Sequence, residues 1–289
     1  MTSLKQNFLQ LMAEKSASFS KGQRQIAEYI KEHYDRAAYM TASRLGAVVE
    51  VSESTVVRFA NALGFEGYPE MQRALQELAR THLTAAQRMG VADNLMDRAT
   101  VLDKVLLGDA DKIKRTLEEL DRTAFENAVE QIANARSIYI IGSRSAASLA
   151  GFLTFNFRLM FDNVHHVEVS SGSEMFEQIL TVGPRDVLIA ISFPRYSSRT
   201  IRAVQYAHNS GANVVALTDS NQSPLAPYAD QLLTARSDMA SFVDSLAAPL
   251  SIINAMVAAV SMARHDEVSS RLHRLEEIWD EYNVYDKNS

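Results

Sequence analysis

Apolar residues recur at helical spacing through the first 80 positions. Leu4, Phe8, Leu11 and Met12 form one stripe, and Ile26, Ala27, Tyr29 and Ile30 form a second that begins near Ser20. Proline and glycine are scarce inside these runs and no alternating pattern competes, so the region is predicted to be helical. Residues 41–50 read as a short helix, Val51 and Ser52 as a break, and 53–63 as the next helix. Ser52 has the chemistry of an N-cap, because its hydroxyl can accept a free backbone N–H of the first turn. Gly64 stands where a helix-ending glycine belongs. A further helix runs from about Pro69 to Arg80. Residues 81–110, with Gly90 and Gly108, read as a polar, weakly helical connector, followed by helices at about 109–120 and 123–134.

The pattern changes after residue 135. Short apolar runs at 138–141, 164–168, 186–192 and 213–218, and a shorter one at 231–234, alternate with helical stretches, and two helices close the chain. Apolar strands without alternation, separated by helices of about 12 residues, predict a parallel sheet covered on both faces. The expected fold class is an all-α helix-turn-helix head joined to an α/β domain with a parallel sheet flanked by helices. The expected domains are 1–80 for the head, 81–110 for a helical linker and 111–289 for the α/β part.

Composition narrows the function. Hydrophobic residues make up 47% and charged residues 22% of the 289, as in a folded globular chain. With no cysteine, disulfides, thiolate metal sites and cysteine nucleophiles are excluded. No metal or cofactor is expected. No apolar signal core opens the chain, and no stretch approaches the ~18 uninterrupted apolar residues of a membrane span. A cytoplasmic location and no membrane partner are the corresponding expectations. The formal charge is −6, but it is unevenly spread. Residues 1–80 hold 10 basic and 9 acidic side chains, a net of +1, which leaves −7 on the remainder. A near-neutral head on an acidic body is compatible with DNA binding by the head.

In the helix pair of 41–63, Leu45 and Val48 are expected to pack the supporting helix, and Val56, Phe59, Ala60 and Leu63 the second helix. That leaves Ser54, Thr55, Arg58 and Asn61 toward solvent, with Ser52 at the helix start and Arg44 on the supporting helix. Hydroxyl, amide and guanidinium groups suit base edges and phosphates. Any two amphipathic helices with a serine cap share this chemistry, so the residue types alone leave the question even. The order of residues goes further. Ser52, Thr55, Val56, Arg58 and Phe59, followed by Leu63, Gly64, Phe65, Gly67 and Tyr68, resemble the winged helix-turn-helix of the RpiR/MurR regulators over roughly residues 3–78. The resemblance implies a transcription factor whose partner is a double-stranded DNA operator. The next helix departs from that pattern, with Met71 and Gln72 where the family often carries a Phe-Lys pair.

The second half resembles the sugar isomerase (SIS) domain that such regulators carry. The resemblance rests on 141–150, a glycine turn from strand to helix; on 191–200, a hydroxyl-rich turn; and on 211–225 with Ala229 and Asp230. It implies binding of a small phosphosugar or related anion. Loops at the carboxyl ends of parallel strands suit such a ligand, because helix starts there offer free N–H groups. The candidates are Ser143, Arg144, Ser145, Ser192, Ser197 and Ser198, with Arg195 and Ser170. Singly, each serine reads as well as a helix cap; the set on successive strand ends favours a site. Against the family's Ser-x-Ser-Gly-x-Thr-x-Glu-Thr loop, Pro194 replaces the second serine, Arg195 the glycine and Arg199 the glutamate. Arg144 stands at a usual glycine and Ala146 at a usual serine. Arginine binds phosphate or carboxylate through bidentate bonds, so an anionic metabolite, phosphosugar or carboxylate, is expected.

The rival reading is an isomerase, which needs a general base beside the sugar. His165, His166, Glu168, Glu174, Glu177 and Asp219 lie near the right loops, yet no acid–base pair stands out, so no catalytic residue is assigned. A ligand-free assembly module is a third reading. The resemblance further implies a homodimer or homotetramer. The face of the last helix with Leu272, Leu275, Ile278, Trp279 and Tyr282 is open to packing on its own domain or on a partner.

Overall fold

The computed structural model describes residues 4–82, 84, 86–90, 99–169, 171–239 and 243–285. The chain divides into two compact units: Met1–Val105 with Asp238–Asp244, and Leu106–Ser237 with Ser245–Ser289. The division falls within the stretch read as a connector, and residues 238–244 join the first unit.

The first unit contains α1 (Leu4–Lys15), α2 (Lys21–Ala37), α3 (Ala42–Val48), α4 (Glu53–Leu63) and α5 (Tyr68–His82). Each start from α2 to α4 is capped as the sequence chemistry dictates. Ser20 and Gln23 form a reciprocal capping box, and the Thr41 and Ser52 hydroxyls accept the Arg44 and Thr55 N–H groups at 3.2 and 3.3 Å. Gly64 ends α4 at φ 101°. The stripes converge on one core that includes Phe8, Met12, Ile26, Ile30, Leu45, Val56, Phe59, Leu63, Met71 and Leu75. Val48 is a correction. It lies exposed, because α3 stops after seven residues and turns Leu45 and Gly46, not Val48, toward α4. The turn between α3 and α4 is held by Val51 N–H donating to the Gly46 carbonyl at 2.8 Å, with Glu50 at φ 57°. A Cβ on Gly46 would stand 2.8 Å from the Val51 oxygen, so the close approach requires glycine.

Tyr68 and Gln72 on α5 both donate to the Met40 carbonyl at 2.7 Å, clamping α5 to the turn between α2 and α3. Gln72 therefore does a structural job where a lysine was the family expectation. Burial pushes the Tyr68 hydroxyl up to about 12 from its ordinary value near 10. The associated stability is fully present below pH 10 and is lost as the pH rises toward 12. Tyr68→Phe is expected to cost about 1 kcal/mol at neutral pH, the worth of one hydrogen bond. It should also flatten the fall in stability above pH 10; equal alkaline slopes in denaturant titrations of both proteins would refute the assignment.

The boundary between the units falls within α6 (Val101–Glu119); in the second unit α7 (Arg122–Ala133) then precedes β1 (Ile138–Gly142), α8 (Ser145–Arg158), β2 (Val164–Val167) and α9 (Gly172–Gln178). Then come β3 (Val187–Ile191), α10 (Ser198–Asn209), β4 (Asn213–Thr218), β5 (Gln231–Thr234), α11 (Ala247–Ala263) and α12 (His265–Glu281). α6 is longer than its pattern suggested and starts at Val101, not near 109. Gly108 was read as part of the weakly helical connector, but one interior glycine costs only ~1 kcal/mol, and the good helix formers around it outweigh that.

The strands form one wholly parallel sheet in the order β2-β1-β3-β4-β5, with Ile138 opposite both Val164 and Val187, and Val187 opposite Asn213. Alternate side chains go to opposite faces. Ile138, Ile140, Ile189 and Val215 pack beneath α7, α8 and α11; Tyr139, Ile141, Leu188 and Ala216 pack beneath α9 and α10. This two-sided burial is why the strands read as unbroken apolar runs. α12 keeps only Val268 buried, and Leu272, Ile278 and Tyr282 on its apolar face are exposed. No single helix among the described residues is long and apolar enough to cross a membrane.

Candidate DNA-reading helix and anion cleft

α4 turns its apolar side inward and leaves its N-terminal end open. Ser52 shares hydrogen bonds with the Ser54 and Thr55 hydroxyls at 2.9 and 2.8 Å, so three hydroxyls cluster where the helix dipole is positive. Ser52, Ser54, Arg58 and Arg44 are exposed and Thr55 is half-buried. Arg58 Nε donates to the Ser54 carbonyl at 3.2 Å, which lays the guanidinium along the outer face of α4. Asn61 is differently engaged. With its amide oriented so that the nitrogen faces them, the exposed Asn61 side chain donates to the Phe65 and Glu66 carbonyls at 3.2 and 3.3 Å and braces the loop after α4.

In the sheet, the order reverses between β1 and β3: the chain moves outward to β2, then crosses back. The loops after β1 and β3 run to opposite faces, α8 on one and α10 on the other, and a crevice opens between them. A cleft of about 430 Å³ lies there, formed by Gly142, Ser143, Arg144 and Ala147 from the first loop and Arg195 to Arg199 from the second, with Val169 after β2. The loops are tied together by Ser143 Oγ and Thr200 Oγ1 at 2.8 Å. Arg199 donates to the Val169 carbonyl at 2.8 Å, and the Tyr196 hydroxyl donates to Asp219 Oδ1 at 2.6 Å, linking the cleft to the end of β4. Arg144 begins α8 at φ 59°, a left-handed conformation that side chains other than glycine adopt at a cost.

Of the sequence candidates, Ser143, Arg144, Arg195, Ser197 and Ser198 line this cleft. Ser145 and Ser192 do not: Ser145 is exposed on the first turn of α8, and Ser192 is buried under the second loop. Ser197 also serves as the N-cap of α10, accepting the Thr200 N–H at 3.4 Å. Ser170 lies outside the described residues. Asp219 was noted only as an option for a base, and its pairing with Tyr196 escaped the sequence reading because it depends on which loops the topology brings together. Arg199 was visible as a departure from a motif, and the cleft gives it a place. Among the described residues, no histidine and no carboxylate lines the cleft, and no cluster of three His, Asp or Glu side chains could hold a metal ion.

Comparison with known proteins now bears on both features. Residues 6–81 match the helix-turn-helix domain of the rpiR family, and residues 131–262 match the SIS domain. The chain thus carries an rpiR-family helix-turn-helix domain and, after it, an SIS domain. The match puts α4 in the helix-turn-helix domain and the cleft in the SIS domain. The HTH-type transcriptional regulator HexR of Pseudomonas aeruginosa is 26% identical over 287 residues, covering 94% of this chain and 95% of that one. Among solved structures, the sugar isomerase domain of an RpiR transcription factor from Sphaerobacter thermophilus aligns with a TM-score of 0.59 at 25% identity, over 62% of this chain and 99% of that one. NanR of Vibrio vulnificus, complexed with ManNAc-6P, aligns with a TM-score of 0.58 at 20% identity over 94% and 98% of the two chains. This protein is thus a transcriptional regulator with a DNA-binding helix-turn-helix domain and an SIS domain.

Proposed function

We propose that this regulator reads its operator with the exposed N-terminal end of α4 and takes a small anionic metabolite in the cleft between the loops after β1 and β3. The observation that carries the ligand reading is the set of three arginines, Arg144, Arg195 and Arg199, around a cleft with no carboxylate or histidine on its wall among the described residues. A neutral ligand gives no reason to gather three guanidinium groups, whereas phosphate or carboxylate oxygens pair with them bidentately. Arg144 is held at a left-handed φ that favours glycine, and engagement of its side chain by a ligand accounts for that cost. NanR, of the same fold, carries ManNAc-6P, which supports the phosphosugar class.

The same wall argues for sensing over catalysis. Aldose–ketose isomerisation needs a base beside the substrate, and His165, Glu168, Glu174 and Glu177 are exposed on β2, α9 and the loop between them, outside the cleft. The regulator is proposed to act as a two-fold pair. Ligand alters operator affinity to the extent that it binds one arrangement of the pair better than another.

A thermal-shift series against phosphorylated sugars and small carboxylates tests the ligand reading. Binding to the native state raises the melting temperature by mass action. A hit is expected with at least one class, and it should vanish in Arg195→Ala/Arg199→Ala; a blank across both classes would overturn the reading. On the DNA side, Arg58→Ala is expected to weaken binding to an operator enriched from random-sequence DNA by about 1–3 kcal/mol. Fluorescence anisotropy at fixed salt measures this, and unchanged affinity removes Arg58 from the contacts. Asn61→Ala should act mainly on the stability of the head, since that side chain is occupied within it.

A further inference from the structure

α2 opens against the usual electrostatics of a helix. Aligned peptide dipoles leave partial positive charge at a helix start, so acidic side chains are favoured there and cations are not. α4 and α5 follow the rule, with Glu53 and Glu70 in their first turns. α2 breaks it. Its first turn is Lys21, Gly22, Gln23 and Arg24, without an acid, and its capping box uses the neutral Gln23. No acidic residue stands within four positions of Lys21 on either side, so no helical ion pair offsets its charge. Arg24 adds to the excess: its Nε donates to the Phe19 carbonyl at 3.0 Å, which turns the guanidinium back toward the helix start. Both cations are exposed. A local rule broken without a gain to the fold among the described residues marks a functional position.

The start of α2 lies against α4. A Cβ on Gly22 would stand 3.2 Å from Thr55 Cγ2 and 3.2 Å from Val51 Cγ1. Gln23 Nε2 donates to the Arg58 carbonyl at 3.5 Å. These contacts hold the first turn of α2 beside the start of α4, on the flank that carries Thr55. Glu53, about 200° round the helix from Thr55, belongs to the other flank. A helix with its side chains is about 10–12 Å across and the major groove of DNA is about 12 Å wide, so α4 fills a groove that it enters. A helix packed on its flank, at about 8–10 Å between axes, stands over the edge of the groove, where the phosphates run.

We infer that Lys21 is a DNA-backbone contact, its ammonium pairing with a phosphate on the strand that borders the groove read by α4. The inference rests on the reading of α4 as the operator helix, and its test separates the two. Anisotropy titrations of the full chain on an operator enriched from random-sequence DNA are run across a salt series. Each phosphate contact contributes about 0.9 to the slope of log affinity against log salt. Lys21→Gln is therefore expected to make the slope about 0.9 shallower and to weaken binding roughly 8-fold at ~0.1 M salt, a loss that fades toward ~1 M. Lys21→Arg should restore most of the affinity. Preference among single-base variants of the operator should not change, because a phosphate carries no sequence information. The melting temperature of Lys21→Gln should hold or rise, since a cation has left the positive end of a helix. Lys31→Gln is the control for net charge: Lys31 is exposed on the same helix, ten residues and so about 15 Å further on, and its loss should leave the slope unchanged. An unaltered slope in Lys21→Gln, beside weakened binding by Arg58→Ala, overturns the contact and leaves the reading of α4. Full affinity and slope in both variants overturn the contact and the reading together. A loss that is equal at every salt concentration, a lower melting temperature, a change in base preference or the same effect from Lys31→Gln also overturns the contact.

Discussion

Gly142→Ala is expected to lower the melting temperature of the SIS unit by roughly 5–10 °C and to remove its anion-induced thermal shift. Gly142 is the last residue of β1, at the point where the chain turns into the cleft loop. A Cβ there would stand 2.5 Å from the Ala146 carbonyl oxygen and 2.9 Å from its carbon, both backbone atoms of the first turn of α8. The side chain cannot rotate away from this clash; either the helix start or the strand end must shift. Overpacking of this kind costs about 1–3 kcal/mol, and each kcal/mol moves the melting point of a unit this size by about 2–4 °C. The shift also displaces Ser143 and Arg144, so ligand binding should fall with stability. Gly151→Ala is the internal control. It lies inside the same helix, and nothing stands within 4 Å of its added Cβ. That substitution should be neutral or stabilise by up to ~1 kcal/mol, because it only removes the helix's glycine penalty. If both variants melt alike, the close approach at Gly142 is not what holds the turn.

Much of this fold was legible because its signals are local. Strands 138–142, 187–191 and 213–218 are buried on both faces, so they stand out as apolar runs whatever their neighbours. Ser52 and Gly64 declare the ends of α4 through cap chemistry alone. The failures are non-local. Val48 fits an apolar stripe, but α3 ends before that stripe is used. Ser145 and Ser192 sit on the right loops and differ from Ser143 only in where the backbone aims them. Tyr196 meets Asp219 because β4 lies beside β3, which no periodicity encodes. The cleft itself follows from the reversal of strand order, a property of topology. The three arginines were visible as departures from a family pattern, but their gathering around one cleft required coordinates.

The adjacent residues Phe59 and Arg58 separate folding from reading in the helix-turn-helix unit. Phe59 is fully buried, and its ring meets the Phe19 ring edge-on at 5.2 Å between centroids. Removing a buried phenylalanine side chain costs about 3–5 kcal/mol from lost transfer energy and the cavity left behind. A unit of this size has about 5–15 kcal/mol in all, so Phe59→Ala should leave the head barely folded and abolish operator binding. The anion-induced shift of the SIS unit should persist, since Phe59 takes no part in that core. Arg58→Ala, one position away on the exposed side, should leave the melting temperature nearly unchanged, as surface substitutions usually stay within ±0.5 kcal/mol, while weakening DNA binding. Calorimetry of both variants with parallel anisotropy titrations makes the comparison. Retention of full operator affinity by Phe59→Ala would remove α4 from the DNA interface. A stability loss in Arg58→Ala as large as that in Phe59→Ala would show that the guanidinium supports the fold of the head instead of serving the DNA.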